Sequence, residues 1–146
     1  MLIDKGEVGE DAYGSAGSWF KKASDLGSLA GCHNLGVAYE YGKNGMQKDY
    51  VQARAFYLRA AEAGYMQSQY NLGSMYSNNY VSPPDDMEGL KWLLLAQMTA
   101  AKDPKLPLYE WVLKDPPGHK RRLEGRLSPA QQQEALRRAA EWKPKP

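Results

Sequence analysis

A tandem repeat constrains the fold of this chain more than any other feature of its sequence. The stretch from Gly27 to Gly64 is followed by a second copy, in which matched residues recur 37 positions later. The matched pairs are Ala23 and Ala60, Gly27 and Gly64, Leu35-Gly36 and Leu72-Gly73, and Tyr39 and Tyr76. Because self-similarity at a period of roughly 20 to 50 residues marks stacked-repeat proteins, the sequence predicts a protein built from one repeated unit.

The first helix of each repeat is predicted over residues 29–41 and 66–77 from the spacing of the apolar residues. Each of these helices has a glycine in its interior, Gly36 in the first and Gly73 in the second. A glycine inside a helix costs roughly 1 kcal/mol relative to alanine, so both positions need a compensating reason. We expect a neighbouring helix to approach closely at both glycines.

The second helix of each repeat has a predicted start and a predicted end. Asp49 and Asp85 are each followed, three residues later, by a side chain that can complete a capping box. The first of these helices ends at Gly64, which suits a left-handed C-terminal cap, and the second runs to about Ala101. The sequence therefore predicts two consecutive helix pairs.

Outside the two repeats, the chain predicts helices that do not keep the period. One lies within residues 12–26, before the first repeat. After Lys102, four closely spaced prolines limit the chain to short helices, predicted over 107–114 and 119–125. A final helix over 128–142 begins with a Ser-Pro capping sequence, and we expect it to cover the open end of the last repeat.

The stretch LGVAYEYGKNGMQKDYVQARAFYLRAAEAG resembles the Sel-one-like repeat, a short relative of the tetratricopeptide repeat. The resemblance implies an all-α fold, a right-handed α-α superhelical solenoid of antiparallel helix pairs with a C-terminal capping helix. The expected single domain consists of a partial repeat at 1–27, repeats at 28–64 and 65–101, a non-repeat insertion at 102–127 and a capping helix at 128–142.

Composition limits the kind of protein further. The hydrophobic and charged fractions, 42% and 25% of 146 residues, are typical of a soluble globular chain, and the longest apolar run is too short to cross a membrane. No secretory signal is visible at the start of the chain. We predict a soluble protein, and the family resemblance leaves the compartment open between the bacterial cytoplasm and the periplasm.

The net charge of +2 is unevenly distributed along the chain. Residues 103–146 hold ten lysines and arginines against six acidic residues, and a basic run from His119 to Arg122 with Arg126 lies there. This excess is compatible with an acidic partner, but a solvated surface is the simpler interpretation. Nucleic acid binding is not expected, because no aromatic residues for base stacking alternate with these basic ones.

The start of the chain suggests an uncovered surface. Met1 falls in the middle of a repeat, so Trp19 and Phe20 have no preceding helix pair to cover one side. We expect either that further residues precede this sequence in the natural protein or that a second chain covers that end by self-association.

No combination of residues predicts catalysis, a metal site or a cofactor. The two histidines lack the spacing of a zinc site, and no glycine-rich phosphate loop is present. Cys32 is expected to be a packing residue and His33 a surface polar residue. The aromatic residues that recur with the repeat are expected in the core; they are Tyr39, Tyr57, Tyr76 and Trp92.

Two sets of residues are predicted to bind a partner. In the resembling family the first helix of each pair lines the concave side, and side chains that differ between equivalent positions can specify a partner. On these helices the predicted strip consists of His33, Val37, Glu40, Tyr41, Tyr70, Ser74, Ser77 and Asn78. The insertion adds Tyr109 and Trp111, which either pack over the last repeat or anchor a partner.

The favoured function is therefore a non-enzymatic scaffold that binds another protein in its concave groove. Within the resembling family, one alternative is an immunity protein that neutralises a type VI secretion phospholipase effector. Another is a hydrolase like the cysteine-rich relatives, although those have two cysteines per repeat and this chain has one in total. A structural module that associates with itself is the remaining alternative.

Overall fold

The computed structural model describes residues 16–145, which form eight α-helices and no β-strand. The helices are α1 (Ala16–Asp25), α2 (Leu29–Tyr41), α3 (Tyr50–Glu62), α4 (Met66–Ser77), α5 (Asp86–Lys102), α6 (Tyr109–Lys114), α7 (His119–Gly125) and α8 (Pro129–Glu141). The all-α prediction is confirmed over this range. Residues 1–15 of the predicted partial repeat lie outside the described residues.

The contacts within the chain define two compact units, one ending at Ala60 and the other beginning at Ala61. The boundary lies near the end of α3. Helices α1 and α2 and most of α3 therefore belong to the first unit, and α4 to α8 belong to the second.

In the first unit, α2 and α3 form an antiparallel pair. The Arg59 guanidinium on α3 lies 3.8 Å from the thiol of Cys32, which is near the start of α2. Nearer the other end of α2, the ring of Tyr39 stacks on that of Phe56, with centroids 5.9 Å apart. Because early residues of one helix meet late residues of the other, the two helices run in opposite directions.

In the second unit, α4 and α5 form the equivalent antiparallel pair. The Thr99 hydroxyl, late on α5, donates to the side-chain oxygen of Gln69, early on α4, over 3.0 Å. At the opposite end, the backbone of Gly89 approaches the side chain of Tyr76. Leu72 and Leu93 are fully buried between these contacts. The second repeat is thus a helix pair with an apolar interior, as the periodicity predicts.

Close approach explains the glycines inside both first helices. A Cβ atom added at Gly36 would lie 2.6 Å from the ring of Tyr57, and one added at Gly73 would overlap the side chain of Leu93. The expected neighbouring helix is therefore present at both positions, and it is the second helix of the same repeat.

The predicted caps also form. The Asp49 carboxylate accepts a hydrogen bond from the backbone of Gln52 over 3.1 Å, and Asp85 does the same for the backbone of Glu88 over 3.0 Å. Gly64 has a φ angle of 101°, in the left-handed region that glycine adopts without strain. At Ser128 both bonds of a capping box are present, so α8 begins where the sequence predicts.

The residues that follow α5 pack back onto the second repeat. Helices α6 and α7 both contact α5, and α7 also contacts α4. Helix α8 contacts α5, and the ring of Trp142 meets that of Trp92 edge to face, with centroids 6.3 Å apart. Ala135 and Ala139 are buried at this contact. The last helix therefore covers an apolar face of the second repeat.

Candidate functional site

The predicted strip on α2 is mostly buried in the first unit. His33 and Glu40 retain only 7% and 3% of their exposed surface, Val37 is half-buried, and Tyr41 is 65% exposed. The prediction that His33 is a surface residue is wrong. Its imidazole lies 5.6 Å from the ring of Tyr57, because α2 turns this face toward α3 and not toward solvent.

Burial changes the ionisation of both buried polar residues on α2. Loss of hydration lowers the pKa of His33 to about 4, so its imidazole is neutral near pH 7. Burial raises the pKa of Glu40, although the Tyr57 hydroxyl, which donates to its carboxylate over 2.7 Å, and the charge of Lys48 oppose the change. These residues have a structural role between α2 and α3.

The single cysteine also lies in this interior, as expected. Cys32 is 1% exposed and its thiol contacts the hydroxyl of Ser24 on α1. The Arg59 guanidinium donates to the same hydroxyl over 3.0 Å. Cys32 therefore packs where α1, α2 and α3 meet, and its buried thiol is out of reach of a substrate.

The predicted strip on α4 is buried for a different reason. Tyr70, Ser74 and Ser77 are all buried, whereas Asn78 at the end of the helix is exposed. The expectation of an open surface at Tyr70 and Ser77 is wrong, because residues from the end of α6 to α7 lie over this face. The periodic pattern gave no sign of this contact, since the covering segment does not belong to the repeat.

One side of this cover is held by Asp115, which follows α6. The Tyr70 hydroxyl donates to one of its carboxylate oxygens over 2.7 Å, and the backbone N–H of Lys120 donates to the other over 2.8 Å. Burial raises the pKa of Tyr70, and the hydrogen bond to the charged Asp115 raises it further. Asp115 therefore joins α4 to the start of α7.

The other side of the cover is held by a cluster at Ser77. The Nδ1 atom of His119 lies 3.0 Å from the Ser77 hydroxyl, and Arg122 donates to that hydroxyl over 3.1 Å and to Nδ1 over 2.7 Å. Since a guanidinium only donates, Nδ1 is an acceptor. Burial and the charge of Arg122 lower the pKa of His119, and the charge of Asp115 opposes this change. The imidazole is therefore neutral near pH 7.

Several residues of the basic run form hydrogen bonds that hold the α6–α7 segment on the repeat. Besides Arg122, the Arg126 guanidinium donates to the carbonyls of Tyr76 and Ser77 over 3.3 Å and pairs with Asp86 over 3.0 Å. These carbonyls are at the end of α4, where a cation also interacts favourably with the helix dipole. The interpretation of the run as solvated surface is wrong for His119, which is buried, whereas Arg122 and Arg126 are exposed and also bonded to the repeat.

Ser77, His119 and Asp115 are the residue types of a nucleophilic triad, but their hydrogen bonds hold the fold together. Ser77 is 2% exposed, Nδ1 of His119 accepts from Arg122, and both oxygens of Asp115 accept other donors. A nucleophile needs an accessible oxygen and a base whose lone pair is available to it. The arrangement instead fixes the α6–α7 segment on α4.

Exposed aromatic residues remain at the predicted binding positions. Tyr41 is exposed at the end of α2 in the first unit. In the second unit Trp111 on α6 is 47% exposed and Tyr109 is half-buried. All three were predicted from the sequence as binding residues, but the spacing did not separate Tyr41 from the buried residues of its strip.

The described residues offer neither a metal site nor a membrane span. No group of three or more histidine, cysteine, aspartate or glutamate side chains within residues 16–145 is placed to hold a metal ion. Over the same range, every helix is too short or too polar to cross a bilayer.

The chain repeats an antiparallel helix pair, and this feature places it among the helix-pair repeat proteins of the α-solenoid type. Exposed aromatic residues and buried polar residues accompany the pairs. A model of the Sel1 repeat matches residues 4–28, 29–65 and 67–96. The chain belongs to the Sel1 repeat family. This membership confirms the resemblance and the fold class, and Sel1 repeats are modules that bind other proteins.

Two similar proteins are a human and a bacterial one. Over 91 residues the chain is 32% identical to human cytochrome c oxidase assembly factor 7, a match that covers 60% of this chain and 39% of the relative. It also resembles the crystal structure of a protective antigen of uropathogenic Escherichia coli strains that displays an SLR fold. That likeness has a TM-score of 0.71 at 26% identity and covers 91% of this chain and 27% of the antigen. The chain thus spans less than half of either protein.

Proposed function

We propose that this chain is a non-enzymatic interaction module that binds partner proteins through exposed aromatic residues, Tyr41 in the first unit and Trp111 in the second. The observation that carries the proposal is the 47% exposure of Trp111 on a short helix outside the repeat, fixed by the bonds that hold its segment on α4. Large aromatic side chains on a rigid support are frequent anchors of protein interfaces.

The buried residues of the predicted strip support this choice of anchors. In the second unit, Asp115, His119 and Arg122 occupy the face of α4 that a partner would use in an open repeat. A partner of this unit would therefore meet the covering segment and not Tyr70 or Ser77. Tyr109, half-buried beside Trp111 in the sequence, would lie at the edge of such a contact.

The relatives support a protein as the partner. One is named as an assembly factor and the other displays the same repeat fold. A role in which this chain holds a protein component during assembly is consistent with the first name. The partner's identity is a matter for capture experiments.

The test is affinity capture from the source organism with Trp111→Ala and Tyr41→Ala variants. Val51→Ala is the control, because Val51 is an exposed apolar residue of the first unit that neither prediction places in a contact. We expect each anchor variant to lose a partner that the wild-type chain and the control retain, with unchanged circular dichroism. Retention of every partner by both anchor variants would refute the proposal.

The narrower alternative, an immunity protein against a type VI secretion phospholipase effector, stays a prediction. Its test is co-expression of the chain with a lipase-like effector encoded beside it. Survival that depends on Trp111 or Tyr41 would support the immunity function, and the absence of a neighbouring effector gene would argue against it.

A further inference from the structure

Two adjoining grooves in the second unit are lined by none of the proposed contact residues Tyr41, Tyr109 and Trp111. The first has a volume of about 310 Å³, and the basic residues that line it are Lys114, Lys120 and Arg121. The second has a volume of about 290 Å³, and the apolar residues that line it are Leu90, Leu94 and Leu136. Lys120 and Glu124 line both grooves. A basic groove therefore meets an apolar one at this pair.

The basic side chains of the first groove are only loosely paired. The ammonium group of Lys120 lies 3.6 Å from the Glu124 carboxylate, and that of Lys114 lies 4.0 Å from Glu110. By contrast, Arg126 pairs with Asp86 over 3.0 Å. Since exposed pairs at long distance contribute little, both ammonium groups remain able to bind another anion.

Arg121 is the clearest source of positive charge in the first groove. It is exposed, and within residues 16–145 no carboxylate lies in ion-pair distance of its guanidinium. The Asp115 carboxylate also lines this groove, but its two oxygens accept from Tyr70 and from the backbone of Lys120. Its negative charge is therefore directed into the protein, and the groove favours an anion.

The second groove explains an exposed leucine on the last helix. Leu136 is 40% exposed, and it shares the groove with the half-buried Leu94 and the buried Leu90. The partly exposed Leu94 and Leu136 line one concave surface, so a single apolar side chain of a ligand can contact both. A large apolar side chain of a ligand would remove this surface from water.

We propose that the two grooves together form a docking site for an acidic, amphipathic segment of a partner protein. A carboxylate of the segment lies between Lys120 and Arg121, where it competes with Glu124, and an adjacent large apolar side chain covers Leu94 and Leu136. The occupant follows from charge complementarity in one groove and apolar lining in the other. Neither groove is lined by an aromatic residue on which a base could stack, which argues against a nucleic acid.

This site adds to the proposed function without depending on it. Trp111 and Leu113 are two positions apart on α6, so their side chains point to roughly opposite sides of the helix. Leu113 lines the basic groove and Trp111 does not. Loss of binding in Trp111→Ala therefore tests the proposed function, whereas the variants below test the grooves.

The probe is a short fluorescein-labelled peptide of glutamate and leucine, measured by fluorescence anisotropy with the full chain. Two matched peptides replace the glutamates with glutamine or the leucines with serine. We expect each replacement to weaken binding about tenfold, through loss of the charged hydrogen bonds or of apolar burial. Added salt should weaken binding of the acidic peptide but not that of the glutamine peptide.

Four variants of the chain test whether the peptide binds in the grooves. Arg121→Glu and Leu136→Ser change one side chain of each groove, and Lys105→Glu and Leu108→Ser are matched controls at exposed positions elsewhere in the second unit. We expect about a tenfold loss of affinity for each groove variant and less than about a twofold loss for each control. Peptide-induced shifts of the Gly118 backbone amide in NMR spectra should disappear in Arg121→Glu.

Three results would overturn the proposal. One is the absence of peptide binding, and another is an equal loss in Arg121→Glu and Lys105→Glu, which would indicate a diffuse effect of net charge. The third is binding of vesicles with anionic lipids, lost in Arg121→Glu, without binding of the acidic peptide. That result would assign the grooves to a lipid surface.

Discussion

At the scale of single residues, His33 shows how burial alters the ionisation of a side chain. Burial beside Tyr57 lowers the pKa of His33 to about 4, well below its ordinary value of 6.5. Burial raises the pKa of Glu40 on the same helix. The two groups therefore contribute to the pH dependence of stability with opposite signs.

We expect His33→Gln to flatten the loss of stability in acid. Between pH 6.5 and about 4 the unfolded chain binds a proton at His33 that the folded chain does not, so the free energy of unfolding falls as the pH is lowered. The full contribution is at most about 3 kcal/mol. Urea unfolding at several pH values measures the slope, which matters more here than the absolute stability of the variant.

Glu40→Gln is the opposing control for this prediction. Because the pKa of Glu40 is raised in the folded chain, Glu40 binds a proton at a higher pH in the folded chain than in the unfolded chain. This difference stabilises the folded chain as the pH falls and partly offsets the effect of His33. Its removal should make the loss in acid steeper. An unchanged slope in His33→Gln would show that the buried imidazole does not cause the pH dependence.

Tyr70 tests the contact between the covering segment and α4. Tyr70→Phe removes the donor to the buried Asp115 carboxylate, and we expect a loss of about 1–3 kcal/mol in the free energy of unfolding. Tyr109→Phe changes a half-buried tyrosine in the same unit and should cost less than about 0.5 kcal/mol. Equal effects of the two variants would contradict a specific role for the Tyr70 hydroxyl.

At the scale of helices, the second repeat depends on close packing at Gly73. Gly73→Ala gains roughly 1 kcal/mol in helix propensity, but the new Cβ overlaps the side chain of Leu93. Because overpacking of a tight core typically costs about 1–3 kcal/mol, we expect a net loss of stability. Thermal unfolding followed by circular dichroism measures it.

Gly125→Ala is the matched control for the packing at Gly73. Gly125 is the last residue of α7, and a Cβ added there would meet no atom within 4 Å. The variant should be neutral or slightly more stable. A stabilising Gly73→Ala would mean that α4 and α5 can move apart without cost.

The short helices α6 and α7 show how the insertion acts as a cover. Each is too short to be stable alone, and each has polar contacts to the repeat through Asp115, His119 or Arg122. The Gln97 side chain on α5 also donates to the carbonyl of Val112 over 3.1 Å. Contacts with the repeat therefore hold these helices in place.

At the scale of the molecule, the repeat family fixes the class of protein, and the residues after the repeats add contacts that the repeat period does not predict. In the second unit they cover the predicted strip of α4, present Trp111 and, together with residues of α5, line both grooves. In this unit the residues after the repeats thus determine which part of α4 remains open to a partner.

Removal of α8 tests its role in closing the second unit. A chain that ends at Leu127 loses Trp142 and exposes Trp92, which is 2% exposed in the intact protein. We expect a loss of roughly 2 kcal/mol or more in the free energy of unfolding, with red-shifted tryptophan fluorescence and binding of a hydrophobic dye. A chain that ends at Trp142 retains α8 and should resemble the full chain. Native-like fluorescence of the shorter chain would contradict this role.

Helix boundaries and caps were within reach of the sequence. Helices α2 and α4 occupy residues 29–41 and 66–77 as predicted, and Asp85 and Ser128 cap the helices they precede. Local chemistry determines these features: apolar spacing sets the buried face, and a side chain next to an unpaired backbone N–H sets the start of a helix. The repeat period then identifies the class.

The tertiary structure decided which side chains of the predicted strip are exposed. Spacing along α4 shows that Tyr70 and Ser77 share a face, but it carries no information on which distant segment packs there. Residues 115–122 do so through side chains that also suit a solvated loop, so their role emerges only when the chain brings them together. The sequence by itself therefore determined the helices, their pairing and the family, because these depend on neighbouring residues. Only the folded chain decided which of those residues remain open to a partner, because burial depends on contacts between residues far apart in the sequence.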